Sequence, residues 1–93
     1  MVYTYVLLCG RDHRFYTGCT RDLRVQFQQH QTGRVRWTAS RQPVQLTYYE
    51  ACLSVDDAYR RERFLKSGKG KAYLKRRLAG FLGTLNRNKL ERH

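Results

Sequence analysis

The stretch Val2-Tyr3-Thr4-Tyr5-Val6-Leu7-Leu8-Cys9 constrains the fold more than any other part of the chain. In an extended strand, successive side chains point to opposite faces. Val2, Thr4, Val6 and Leu8 then share one face, and Tyr3, Tyr5, Leu7 and Cys9 share the other. Both faces are largely apolar, so the strand must be covered on two sides. A central strand with helices on both faces meets that demand, and the fold class expected is α/β. The chain has 93 residues, which points to one domain with a modest core.

The following segments supply the partners. Gly10-Arg11-Asp12-His13 is turn chemistry, and Phe15-Tyr16-Thr17-Gly18 makes a second strand of a hairpin. Gly18 has no side chain, so another group can approach the strand there. Residues 22–31 read as a helix with Asp22 as its N-cap and Gly33 at its end. Leu23, Phe27 and His30 lie on one helix face with Gln26 beside them. Residues 33–43 read as a loop carrying Arg34, Arg36, Trp37 and Arg41, closed by Pro43, and Val44 to Glu50 as a third strand. Ser54 and Asp57 form a capping-box variant that opens a second helix with the stripe Val55, Ala58, Glu62 and Leu65. Gly68 and Gly70 are expected to break it. A third helix over 71–82 turns Leu74, Leu78, Phe81 and Leu82 inward, and a basic, polar tail over 83–93 is expected to fray. The expected order is ββαβαα, with the domain over 1–82.

Nineteen Lys and Arg against seven Asp and Glu give a formal net charge of +12. That much charge self-repels unless a polyanion or counterions offset it, and a domain so basic most often meets nucleic acid, with an anionic membrane surface or the ribosome as blander alternatives. The densest cluster runs from 60 to 77, where nine cations face the single acid Glu62. Lys66, Lys69 and Lys71 flank a Gly-rich turn whose N–H groups suit a phosphate, although no GxxxxGK[ST] loop is present. Arg34, Arg36 and Arg41 add a second basic set. Cys9, Cys19 and Cys52 show no CxxC pairing, so they read as reduced thiols rather than zinc ligands. No apolar run is long enough to span a membrane, and the start Met1-Val2-Tyr3 lacks the basic region of a signal peptide. A cytoplasmic protein without a membrane partner is expected.

Glu62 is the most telling single residue. It falls on the stripe of its helix that should be buried, and an unpaired buried carboxylate is costly. Read from the helix alone, Glu62 forms an ion pair with Arg60, Arg61 or Arg63. Tyr5, Tyr16 and His30 have ordinary core readings as well.

Taken together these residues resemble the GIY-YIG nuclease superfamily. Tyr3-Thr4-Tyr5 stands where the family has GIY and keeps its tyrosine, and Tyr16-Thr17-Gly18 stands where it has YIG and keeps tyrosine and glycine. His30, Glu62 and the segment Leu65-Lys66-Ser67-Gly68-Lys69-Gly70 follow in family order, the last like the short stand-alone bacterial members. The resemblance covers about residues 2–80 and implies a three-stranded antiparallel sheet with the first strand central. It also implies a metal-dependent DNA endonuclease leaving a 5′-phosphate and a 3′-hydroxyl. On that resemblance Glu62 holds magnesium or manganese, Tyr5 activates water, and Tyr16 positions water and phosphate. His30 supports Tyr16 or a phosphate.

One position departs from the pattern. Counted back four residues from His30, the family arginine is Gln26, and Arg24 points about 160° away on a 3.6-residue helix. A neutral amide does not replace a bidentate cation on the attacked phosphate. Three explanations stand: a naturally slow or dead relative, an engineered inactive chain, or a substitute arginine nearby. A non-enzymatic nucleic-acid-binding module on the same fold is the rival reading, and RNA stays open beside DNA as the partner. The chain is expected to be monomeric, which leaves nicking or transient dimerisation as routes to double-strand cutting.

Overall fold

The computed structural model describes the backbone of residues 1–91 and side chains as far as Leu85. Three strands, β1 (Val2–Cys9), β2 (Phe15–Thr20) and β3 (Val44–Cys52), form one antiparallel sheet in the order β2-β1-β3. The strand with two apolar faces is therefore the central one, as its alternation requires. Five helices follow the chain: α1 (Leu23–Gln31), α2 (Arg36–Ala39), α3 (Val55–Lys66), α4 (Gly68–Arg77) and α5 (Ala79–Glu91).

The two faces of β1 build two cores. Tyr5, Leu7 and Cys9 pack with Val44 and are covered by Leu23 and Phe27 of α1 together with Tyr16 and Leu46. Val6 packs with Leu65 of α3, Leu74 of α4 and Leu78, covered further by Phe15, Tyr48, Tyr73 and Leu82. Each fully buried aliphatic side chain contributes about 1.5–3 kcal/mol, so the two layers together outweigh any surface contact. The α3 layer is also pinned by polar contacts. Thr4 Oγ1 donates to the Ala58 carbonyl at 2.9 Å, and Arg61 holds Glu50 of β3 at 2.6 Å while lying over the rings of Phe64 and Tyr73.

The caps follow the sequence. Asp22 Oδ1 accepts from the Val25 N–H at 3.1 Å, and Ser54 Oγ from the Asp57 N–H at 3.4 Å. Gly33 takes a left-handed φ of 76° just past the end of α1. No helix among the described residues is long and apolar enough to cross a membrane.

Three segments differ from expectation. The 33–43 loop contains α2, a four-residue helix too short to show a periodic pattern. The second correction concerns the glycines at 68 and 70. Both lie inside α4, and the junction is Ser67, which ends α3 and caps α4 by accepting from the Gly70 N–H at 3.1 Å. Gly70 is small because α4 lies against α3 there: a Cβ would sit 2.5 Å from Leu65 Cα and on the Phe64 carbonyl oxygen. The expected helix over 71–82 is thus two helices meeting at Leu78, with Leu74 and Leu78 buried as read. Third, the segment read as a fraying tail continues α5 from Gly83 to Glu91, and residues 92 and 93 lie outside the described residues. The order is therefore ββααβααα rather than ββαβαα.

Candidate active site

Tyr5 is the centre of the candidate site. It lies on the middle strand, 1 % exposed, directly across from Gly18 of β2. A Cβ on Gly18 would come 2.7 Å from the Tyr5 hydroxyl oxygen, so the glycine exists to let the phenol lie over β2. The phenol reaches His30 of α1, with Tyr5 Oη and His30 Nε2 3.0 Å apart. His30 Nδ1 in turn lies 2.8 Å from Thr38 Oγ1 of α2, and that hydroxyl donates to the Val35 carbonyl at 3.3 Å.

The direction of this chain follows from proton counting. A carbonyl only accepts, and a threonine hydroxyl has one proton. With that proton on Val35, Thr38 accepts from His30 Nδ1–H. His30 Nε2 then carries a lone pair and accepts from the Tyr5 phenol. Burial pushes the Tyr5 pKa well above the ordinary tyrosine value, and it pulls His30 below the ordinary histidine value. Both groups are therefore neutral near pH 7, with the proton on Tyr5 and the base on His30.

The other residues close around this pair. The Tyr16 ring meets His30 edge to face with centroids 4.8 Å apart and lies 6.4 Å from Tyr5, and Trp37 of α2 packs against Tyr16 at 5.4 Å. Gln42 Nε2 donates to the carbonyls of His30 and Thr38, at 2.7 and 3.2 Å, which ties α2 to the end of α1. The Gln26 amide lies near enough to the Tyr5 phenol to draw part of its upward shift back. The Glu62 carboxylate adds to that upward shift, so its charge is felt at Tyr5. Glu62 also abuts the Cys19 thiol, which burial and that carboxylate push up to about 11. Tyr5, Tyr16 and His30 are thus in direct contact, and Gln26 and Glu62 lie near enough for the amide and the carboxylate to act on the Tyr5 phenol.

Glu62 does not pair with Arg60, Arg61 or Arg63. Its Oε2 accepts from Lys66 Nζ one turn on, at 2.6 Å, with the carboxylate side chain 18 % exposed. Arg60 binds Asp57 and Arg61 binds Glu50, which removes both from the site. Among the described residues no group of three or more His, Cys, Asp and Glu could hold a metal ion. The donor set at Glu62 is one hard, mostly covered oxygen ligand. It suits a magnesium-type ion that keeps its waters and shares a phosphate oxygen, and it does not suit a zinc cage.

The residues expected to hold nucleic acid fall into two groups. Arg34, Arg36, Lys69 and Lys71 are exposed. Arg41 instead pairs with Asp12 at 3.0 Å, donates to the Trp37 carbonyl at 2.6 Å and lies 3.9 Å over the Trp37 ring, so it braces α2. Lys66 is held by Glu62. Nor is the Gly-rich segment an open anion nest, because Ser67 takes the Gly70 and Lys71 N–H groups through Oγ and its carbonyl. Sequence reasoning missed Thr38 and Gln42, whose roles depend on α2. A buried histidine needing a second partner was the available signal, but it does not name the partner.

Comparison with known proteins gives the chain's relatives. The family model described as "GIY-YIG catalytic domain" matches residues 1–80. A UPF0213 protein of Streptococcus agalactiae is 42 % identical over 65 residues, covering 69 % of this chain and 73 % of that protein. A UPF0213 protein of Pediococcus acidilactici is 40 % identical over 76 residues, covering 78 % and 76 % respectively. A third, from Streptococcus pneumoniae, is 38 % identical over 68 residues, covering 72 % and 68 %. No solved structure matches the chain.

Proposed function

We propose, since this chain belongs to the GIY-YIG catalytic domain family, that it is an endonuclease hydrolysing phosphodiester bonds in DNA, slowed by the amide at Gln26. The observation that carries the reading is the buried hydrogen-bonded chain Tyr5–His30–Thr38, which offers the phenol proton a path to the imidazole. Water beside Tyr5 gives its proton to the phenol oxygen as the phenol proton passes to His30 Nε2. This relay avoids a free phenolate, which burial disfavours. Tyr16 holds the imidazole from its face, and Thr38 fixes the tautomer. Glu62 is the residue that would hold magnesium or manganese, and the bound ion supplies Lewis-acid stabilisation of the leaving oxygen. Lys66, more than half exposed, swings from Glu62 to a phosphate when the carboxylate is taken. The enzyme acts as a monomer and nicks one strand at a time, with Arg34, Arg36, Lys69 and Lys71 holding the backbone.

A second reading, a nucleic-acid-binding module without cleavage, is favoured by Gln26 and by the Lys66 pairing of the metal carboxylate. One comparison separates the two: parent, Gln26→Arg and Glu62→Gln on single-stranded, duplex and branched DNA with magnesium or manganese, with binding measured in parallel. Gln26→Arg raises cleavage by at least about tenfold, the lower side of what one transition-state donor contributes. Glu62→Gln abolishes cleavage and leaves binding. If Gln26→Arg cuts nothing while the parent binds DNA, the module reading holds. A fast parent enzyme means that another cation, with Lys66 foremost, serves the attacked phosphate.

A further inference from the structure

Tyr5 shares its rung of the sheet with two other residues. Gly18 stands opposite it on β2, and Tyr49 stands opposite it on β3. The β2 side of that rung is the candidate active site. On the β3 side, the surface opens into a groove of about 500 Å³ between β3 and the start of α1. Its apolar floor includes Leu23 and Leu46, and Tyr3 and Tyr49 form an aromatic corner above it. The two rings meet edge to face, centroids 6.1 Å apart and planes at 64°. Tyr49 remains 54 % exposed, so about half of its surface stays open to a partner. Arg21 and Arg24 stand exposed on the rim. The acid of the lining, Asp22, is already engaged in capping α1.

We propose that this groove receives an unpaired nucleobase of a single-stranded nucleic-acid segment. The base stacks on Tyr49 with Tyr3 as the side wall, and Arg21 and Arg24 take the flanking phosphates. Three observations select this occupant. An exposed aromatic face beside arginines is the chemistry by which proteins follow single strands, because every base offers a π-face whatever its sequence. The net charge of +12 favours a polyanion and disfavours a basic peptide. A duplex hides its base faces by stacking and has no use for a corner between two rings. Neighbouring strands lie about 4.8 Å apart, so Tyr49 is about 10 Å from the strand that bears Gly18. The substrate class that suits both places has unpaired nucleotides beside the bond to be cut, as in a flap, a bubble or a branch. The proposal rests on the nucleic-acid half of the proposed function and not on cleavage.

The test compares a labelled single-stranded oligonucleotide with a duplex of equal length by fluorescence anisotropy, in deoxyribose and ribose versions. A second probe carries 2-aminopurine, whose emission is quenched on stacking. The parent protein quenches 2-aminopurine. Tyr49→Ala weakens single-strand binding by about fivefold to a hundredfold, the range for losing one aromatic stack, and leaves duplex binding nearly unchanged. Tyr49→Phe keeps the stack and the affinity. Arg24→Glu, on an exposed helix position, weakens single-strand binding and lowers its salt dependence. A folded Tyr49→Ala that binds single strands as the parent does overturns the proposal. So does a parent that leaves 2-aminopurine bright while bound. Should Tyr49→Ala not fold, quenching by the parent and the Arg24→Glu loss must both appear, and the absence of either overturns it. Equal loss on single strand and duplex also overturns it, because the contact is then generic. The ribose arm decides whether the strand is DNA or RNA. Cleavage is scored separately, so a chain that cuts with an idle groove refutes only this inference. A chain that stacks a base and never cuts refutes only the nuclease reading.

Discussion

His30 is fully buried, yet both ring nitrogens are hydrogen-bonded, to Tyr5 on one side and Thr38 on the other. Burial lowers its pKa below the ordinary 6.5. Below pH 6.5 the unfolded chain takes up a proton that the folded chain refuses, so the unfolded state binds more protons there. The stability His30 allows is thus complete above 6.5 and is lost as pH falls toward the lowered folded value. Melting temperature against pH should drop below about 6.5 in the parent, and the drop should shrink in His30→Gln. Thr38→Val keeps the shape and removes the acceptor of Nδ1–H. A buried donor left unpaired costs about 1–3 kcal/mol, read by denaturant unfolding, and cleavage should fall by more than that instability explains because the tautomer is released. Tyr5, Tyr16 and His30 were singled out through the family resemblance, since register and periodicity alone leave them with ordinary core readings, and the structure brings the three into contact. Thr38 was not, since its place depends on a four-residue helix that no repeat announces.

At the scale of elements, the glycines carry the instructive difference. Sequence reasoning takes Gly68 and Gly70 as breakers, and the chain does turn there, but Ser67 makes the turn. Gly70 works inside α4, where the backbone of α3 leaves no room for a Cβ. Alanine is the better helix former in isolation by about 1 kcal/mol, so propensity alone says that Gly70→Ala stabilises. The crossing says the reverse: a clash with rigid backbone forces the helices apart and costs about 1–3 kcal/mol or more. Gly68→Ala meets nothing within 4 Å and should stabilise or be neutral. Melting both variants side by side distinguishes packing from propensity. Strand order, both long caps and the stripe of α3 were readable, because alternation and capping are local. The α3–α4 crossing was not, because it depends on which backbone lies opposite.

The whole molecule is a three-stranded sheet packed between helices, with an excess of positive charge. If nucleic acid is the partner, the logarithm of the association constant should fall linearly with the logarithm of salt concentration. The slope should be about −0.9 per phosphate neutralised on duplex and about −0.7 on single strands. Filter binding or anisotropy over a salt series measures it. An affinity flat from low to physiological salt removes the electrostatic basis of the reading. The charge total was plain in the composition, but its division was not. Arg41, Arg61 and Lys66 are taken up by Asp12, Glu50 and Glu62, so fewer cations are free for a partner than the sequence suggests.

Tyr5 belongs to the hydrophobic core as much as to the site, whereas Gln26 stands at its rim. The two positions therefore answer to different pressures. Altering the phenol disturbs the centre of the sheet, and any such change is punished as a folding defect whether or not cutting matters. Position 26 is half-buried and belongs to neither apolar cluster, so a change there alters the polar side of the site and spares the packed layers. If such chains cut nucleic acid, one substitution at position 26 can switch a lineage between cutting and merely holding, because the core that seats Tyr5 and His30 is selected for folding in either case.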